Sequence, residues 1–119
     1  MTDLSTITEL NLSNKGLTKL PDLSIYPNLQ TLDCSYNELT SLNNLPIGLQ
    51  ILNCSYNQLK SLDNLPIGLQ KLHCFSNQLT SLNNLPIGLQ KLYCLNNPFN
   101  YNFEITLENI RKYNLENHK

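Results

Sequence analysis

Alanine and valine are absent from this chain, and only 14% of its 119 residues are charged. No rule of core packing forbids Ala or Val. Their absence beside 19 Asn and 26 Leu is read as the mark of an AT-rich genome, which bears on source and not on function. The scarcity of charge is even-handed, with eight basic against nine acidic residues and no block of either sign. A dedicated nucleic-acid surface needs a basic excess and a basic patch, so none is expected. Apolar runs never exceed a few residues, and no segment is long enough to span a bilayer. Residues Met1 to Leu12 lack a basic stretch followed by an apolar one, so no classical signal peptide is expected. Lipidation boxes are missing too, and the cytoplasm (a host cytoplasm if the source is viral) is the expected location. There is no glycine-rich phosphate loop, no HExxH and no GxSxG. The expectation is therefore a non-enzyme without cofactor, whose length suits a single domain, residues 1–119.

What the chain has in abundance is itself. The string Asn-Leu-Pro-Ile-Gly-Leu-Gln begins at Asn44, Asn64 and Asn84, a period of 20 residues. Around it run Leu29, Leu32, Cys34, Asn37 and Leu39, and the same pattern returns from Leu49, Leu69 and Leu89. The consensus is LxxLxCxxNxL followed by LxxLPIG. A looser first copy, Ile7, Leu10, Leu12 and Leu17, sits 22 residues before the next, with Lys15 in the place of the Asn. End repeats are expected to be irregular, since each has a neighbour on one side only.

The spacing predicts the shape. Leu32 and Cys34 alternate with Thr31 and Asp33, so a short strand there buries the first pair and exposes the second. Such a strand gains stability only by stacking on identical neighbours, in parallel register at ~4.8 Å per step. Asn37 should turn the chain inward and satisfy backbone groups freed at the strand end, with the same Asn repeating the task one coil later. Leu39, Leu42 and Leu45 carry the convex return, and Pro46 with Gly48 is expected to tighten the bend. The fold class is thus an α/β-type solenoid, mostly short parallel β plus irregular coil, of about five coils.

Over residues 7 to about 99 the chain resembles leucine-rich-repeat proteins. The LPxxLxxLxCxxNxL pattern of its short repeats is similar to that of bacterial-effector and giant-virus members. The resemblance implies a curved right-handed superhelix with a parallel sheet on its concave face and protein partners bound there. Some bacterial relatives carry a ubiquitin-ligase domain after the repeats, for which these 119 residues leave no room.

Residues 1–28 read as an irregular first repeat, 29–99 as regular repeats and 100–119 as a C-terminal cap. Beyond Asn97 and Pro98 the pattern gives way to Phe99, Tyr101, Phe103 and Ile105. Thr106 is placed to cap a helix over 106–116, with Glu108 in its first turn. Leu107, Ile110 and Tyr113 or Asn114 define its packed face, and Arg111 and Lys112 its outer one. Leu4 to Ile7 is too short to be an equal lid at the other end.

Cys34, Cys54, Cys74 and Cys94 fall in one inward column. Their side chains point the same way and not at one another, which disfavours disulfides. Three ~4.8 Å steps spread the column's ends ~14 Å apart, too far for one tetrahedral zinc. They read as buried free thiols acting as small hydrophobes. His73 adjoins Cys74 but points to the opposite face of the strand, and His118 lies in the tail, so cysteine catalysis lacks a base.

Copies that share the Leu-Pro-Ile-Gly return differ on the inner face. Successive coils carry Glu9, Thr31, Ile51, Lys71 and Lys91 at one position and Asn11, Asp33, Asn53, His73 and Tyr93 at another. Next come Ser13, Ser35, Ser55, Phe75 and Leu95, then Asn14, Tyr36, Tyr56, Ser76 and Asn96. Acidic and polar residues give way to basic and aromatic ones, while outer sites such as Ser41, Ser61 and Ser81 stay the same. Exposed aromatics beside cations are the usual make-up of interaction hot spots. The candidate protein-binding face is therefore Lys71, His73, Phe75, Lys91, Tyr93 and Leu95, extended by Tyr36, Tyr56, Asp33 and Ile51. Ile47, Ile67 and Ile87 are expected to pack partly inward, or, if exposed, to form a second stripe. The function read from this face is a non-enzymatic protein-interaction module, a viral or bacterial factor acting on a host protein. The alternatives are a substrate-recruiting subunit of an enzyme complex such as a ubiquitin ligase, or a structural, self-assembling component. A monomer is expected, with self-association through the N-terminal end as the variant.

Overall fold

The computed structural model describes residues 3–117. Five three-residue strands, β1 (Glu9–Asn11), β2 (Thr31–Asp33), β3 (Ile51–Asn53), β4 (Lys71–His73) and β5 (Lys91–Tyr93), form one parallel sheet in chain order. The register follows the repeat without slip, with Leu10, Leu32, Leu52, Leu72 and Leu92 aligned as successive partners. Each strand is closed by neighbours on both sides in the middle of the stack, and there only the central Leu is buried. At the two ends the same Leu is half-covered.

Behind the sheet runs a core of Leu29, Leu32, Cys34, Leu39 and their equivalents one coil on, all buried. Each fully buried Leu contributes ~1.5–3 kcal/mol, a gain that exists only because the adjacent coil excludes water.

The inward Asn side chains stitch coil to coil. The Asn57 amide nitrogen donates to the Cys54 and Ser55 carbonyls of its own coil at 3.1 and 3.3 Å, and to the Cys34 carbonyl of the preceding coil at 3.0 Å. Its oxygen accepts from the Leu39 N–H at 2.9 Å. Asn37, Asn77 and Asn97 repeat the arrangement. The Cys34, Cys54 and Cys74 carbonyls each accept from two successive Asn side chains, so both lone pairs are used.

The bend differs from expectation in two ways. Leu49, Leu69 and Leu89 N–H groups donate to the Pro46, Pro66 and Pro86 carbonyls at 3.1 Å, closing four-residue turns. Among the glycines only Gly16 has positive φ, so Gly48, Gly68 and Gly88 are not required by the backbone. A Cβ at Gly68 or Gly88 would meet open space. Secondly, Ile47, Ile67 and Ile87 do not pack inward. They occupy the turn tips and are 86%, 74% and 87% exposed. The turn sends its flanking Pro and Leu toward the core, and that geometry leaves the residue after Pro no inward path.

The C-terminal segment covers the last coil. Phe99, Tyr101 and Phe103 stack in succession, with centroids 5.7 and 4.8 Å apart, and Tyr113 meets Tyr101 edge-on at 5.2 Å. The Tyr101 hydroxyl accepts from the Leu82 N–H at 2.8 Å. Helix α1 (Leu107–Asn117) is capped by Thr106, whose hydroxyl accepts from the Asn109 N–H at 3.1 Å. Ile110 is fully buried. Arg111, expected on the outer face, is half-buried, and its guanidinium donates to the Pro86, Ile87 and Leu89 carbonyls at 3.1, 3.0 and 2.8 Å. These carbonyls belong to the final turn, the Pro86 one also accepting from the Leu89 N–H, and the guanidinium ties α1 to that turn. At the N-terminal end a single 3-10 turn, Leu4–Thr6, is held by Asp3 and by the Asn28 amide on the Ser5 carbonyl.

Candidate functional site

The sheet positions two columns of outward side chains. Strand periodicity turns Thr31, Ile51 and Lys71 and, two residues on, Asp33, Asn53 and His73 away from the core. In-register pairing sets Lys71 against Lys91 and His73 against Tyr93. The His73 and Tyr93 rings stack at 4.5 Å with 16° between planes, and Phe75 lies 6.2 Å from both. Leu95 beside them is 67% exposed. The expected aromatic and cationic group is thus brought together on two adjacent coils. Desolvation, and after it the Lys71 charge, holds the His73 imidazole below its ordinary pKa, while Asp33 opposes the shift. Desolvation and the Lys71 charge both favour the neutral imidazole.

Tyr36 and Tyr56 form a separate group on the earlier coils, stacked at 4.4 Å and 7°. They are 57% and 43% exposed. The Tyr36 phenol is held above its ordinary pKa by desolvation and by the adjacent Tyr56. Ser35 and Ser55, assigned to the same inner face, are instead buried. Ser35 donates through its N–H and hydroxyl to one Asp33 carboxylate oxygen, at 3.0 and 2.6 Å. The Ser55 hydroxyl accepts from the Phe75 N–H at 2.9 Å. The chain has already left the strand at these positions and turned inward, which strict alternation did not anticipate. They hold the site and are not part of its surface.

The cysteines are free and buried. Burial raises every thiol: Cys94 to about 11, Cys34 to about 12, and Cys54 and Cys74 further. His73 and Cys74 stand on opposite sides of β4, and His118 lies outside the described residues. Among the described residues no three His, Cys, Asp or Glu converge as metal ligands. At neutral pH the folded protein is expected to resist alkylation, with Cys94 labelled first and Cys54 last, and all four labelled after denaturation. Fast native labelling of two or more, followed by mass spectrometry, would contradict the buried column. The raised thiols hold protons more tightly folded than unfolded. Their contribution is thus intact below the ordinary value of 9.0 and is lost as pH rises through the folded values.

A cleft of about 500 Å3 lies away from the sheet, between the last turn and α1, lined by Leu85, Ile87, Arg111 and Leu115 among others. No helix among the described residues is long and apolar enough to cross a membrane.

Stacked 20-residue coils, a parallel sheet one short strand per coil, and an inward Asn ladder define this chain as a leucine-rich-repeat solenoid. No family model and no curated protein matches it. Among solved structures it is similar to YopM from Yersinia enterocolitica WA-314, a bacterial effector with leucine-rich repeats. The likeness has a TM-score of 0.59 and 30% identity, over 70% of this chain and 22% of that one. The chain thus spans about a fifth of that protein's length.

Proposed function

We propose that this chain binds a partner protein on the C-terminal half of its sheet face. The fold is one typical of protein-interaction modules. The observation that carries the proposal is the His73, Phe75 and Tyr93 cluster, half-buried and flanked by Lys71 and Lys91. An aromatic centre with a cationic margin suits an acidic, amphipathic segment. The likeness to a bacterial effector supports a role directed at a host protein.

The partner would be isolated with the intact chain as bait, and the variants compared against it. Phe75→Ala or Tyr93→Ala should weaken binding by ~2 kcal/mol or more. Lys71→Glu with Lys91→Glu should mainly slow association and invert its salt dependence. Because the imidazole gains charge only on acidification, binding to an acidic segment should tighten as pH falls below the ordinary histidine range. Circular dichroism should show all variants folded. Normal binding by these variants, with loss on changing Ile47, Ile67 and Ile87 to Ser, would move the site to the exposed turn row and favour self-association or lateral docking.

A further inference from the structure

Position eight of every coil has left-handed backbone, with φ of 55°, 55°, 58°, 52° and 62° at Asn14, Tyr36, Tyr56, Ser76 and Asn96. Asn tolerates this region best among side-chain-bearing residues, and a bulky ring tolerates it poorly. Coils one and five use Asn, and coil four uses Ser. Coils two and three place tyrosines there, at a conformational cost, and the two residues keep 57% and 43% of their surface in solvent. Among the described residues their only aromatic partner is each other. Next to the stack on either side stand the small Asn14 and Ser76, so the next coil offers no third ring to cover an outer ring face.

Charges of both signs stand nearby, with Lys15 next to Asn14 and Lys71 paired with Ile51 in the strand before Tyr56, and the acidic side chains are the more numerous around Tyr36. Asp33 lies three residues before Tyr36, its carboxylate fixed by Ser35, the residue adjoining that tyrosine. Glu9 stands on the same face one strand earlier, and Glu38 two residues after Tyr36. Lys71 stands one strand beyond the Tyr56 coil, and Lys91 one strand further.

We propose that the Tyr36 and Tyr56 stack, with Asp33, is a subsite for an arginine side chain of the partner polypeptide. A planar, weakly hydrated guanidinium lies flat on an aromatic ring while its edge donates to a carboxylate, whereas a lysine ammonium is a strongly hydrated point charge. The inference rests on the sheet face being the binding surface and adds a second pole to it. An arginine at coils two and three and an acidic residue at coils four and five lie two to three strand steps apart, ~10–14 Å. An extended peptide covers that in three to four residues. The face thus reads a segment of fixed polarity.

The test is a double variant, Tyr36→Asn with Tyr56→Asn, which supplies the residue this backbone favours. The probe is the peptide Ac-Gly-Arg-Gly-Arg-Gly-amide, titrated while tyrosine ring NMR shifts are followed, with the lysine analogue alongside. The arginine peptide should bind about tenfold more tightly than the lysine one. The double variant should lose at least about tenfold in affinity, followed through backbone amide shifts, and Asp33→Asn should lose severalfold. The variant's melting temperature should equal or exceed that of the parent chain. Equal binding of the lysine peptide, unchanged binding by the double variant, no shift with either peptide, or a lower melting temperature would each overturn the proposal, the last because it makes the stack a structural device. Phe75→Ala and Tyr93→Ala, tried with an acidic peptide, report on the other end, so the two readings fail separately.

Discussion

Asn57→Ala is expected to remove roughly 3–4 kcal/mol of stability, a large share of what a domain of this size possesses. The side chain serves four backbone groups across two coils: the Leu39 N–H and the Cys34, Cys54 and Ser55 carbonyls. Alanine supplies none of these bonds and is too small to admit water freely into a site beneath the strand. The Leu39 N–H is then stranded beside a fully buried Leu, and a buried donor without a partner costs ~1–3 kcal/mol alone. The two cysteine carbonyls lose one of two donors each, a milder loss, since Asn37 still serves Cys34 and Asn77 still serves Cys54. Urea unfolding should show a lower midpoint, with Ser61→Ala on the exposed outer side as a control that barely moves. An unmoved midpoint for Asn57→Ala would show that the ladder is incidental to stability.

Deleting residues 98–119 is expected to leave an aggregating, largely unfolded chain. The segment removes a fully buried Ile110, the stacked Phe99, Tyr101 and Phe103, and the Arg111 guanidinium. In a solenoid each coil is stable only when both of its flanks are covered, so uncovering Leu82 and Leu89 loosens the last coil and then its neighbour. It also bares an apolar end beside the edge of β5, a template for association. Ile110→Ala is the graded version, with a loss of ~2–5 kcal/mol. Light scattering coupled to size-exclusion chromatography, with thermal melting, checks both. A truncated chain with the size and melting temperature of the full-length one would deny the segment its capping role.

These two predictions draw on features of unequal legibility. The Asn ladder was readable because a polar residue recurring in an apolar frame must find partners, and identical coils provide the same ones each time. The cap helix and its Thr106 start were readable from composition. Arg111 was not, since helix periodicity assigns a long cation to water and says nothing of the turn carbonyls that the fold brings within its reach. Ser35 and Ser55 escape the alternation for a related reason: it holds within a strand, and these strands end at Asp33 and Asn53. Hydrophobicity alone points Ile47, Ile67 and Ile87 inward, whereas the turn geometry leaves them at its tips.

The candidate face shows the same division. Which residues vary between coils is visible in the repeat. That His73 lies flat on Tyr93 while Tyr36 lies flat on Tyr56, making two separate aromatic groups, follows only from the register and the backbone. The left-handed backbone under the tyrosines is equally invisible in a one-letter string, because Asn, Tyr and Ser share the position.

By itself the sequence determined the solenoid, its period, its buried Leu and Cys column and its inward Asn residues. A 20-residue repeat of apolar positions has one way to hide them, which is to stack. The tertiary structure alone decided what stands next to what across coils and at the two ends. Side chains 20 residues apart in sequence meet only once the strands are paired, and a terminal coil takes its partners from whatever segment folds back over it.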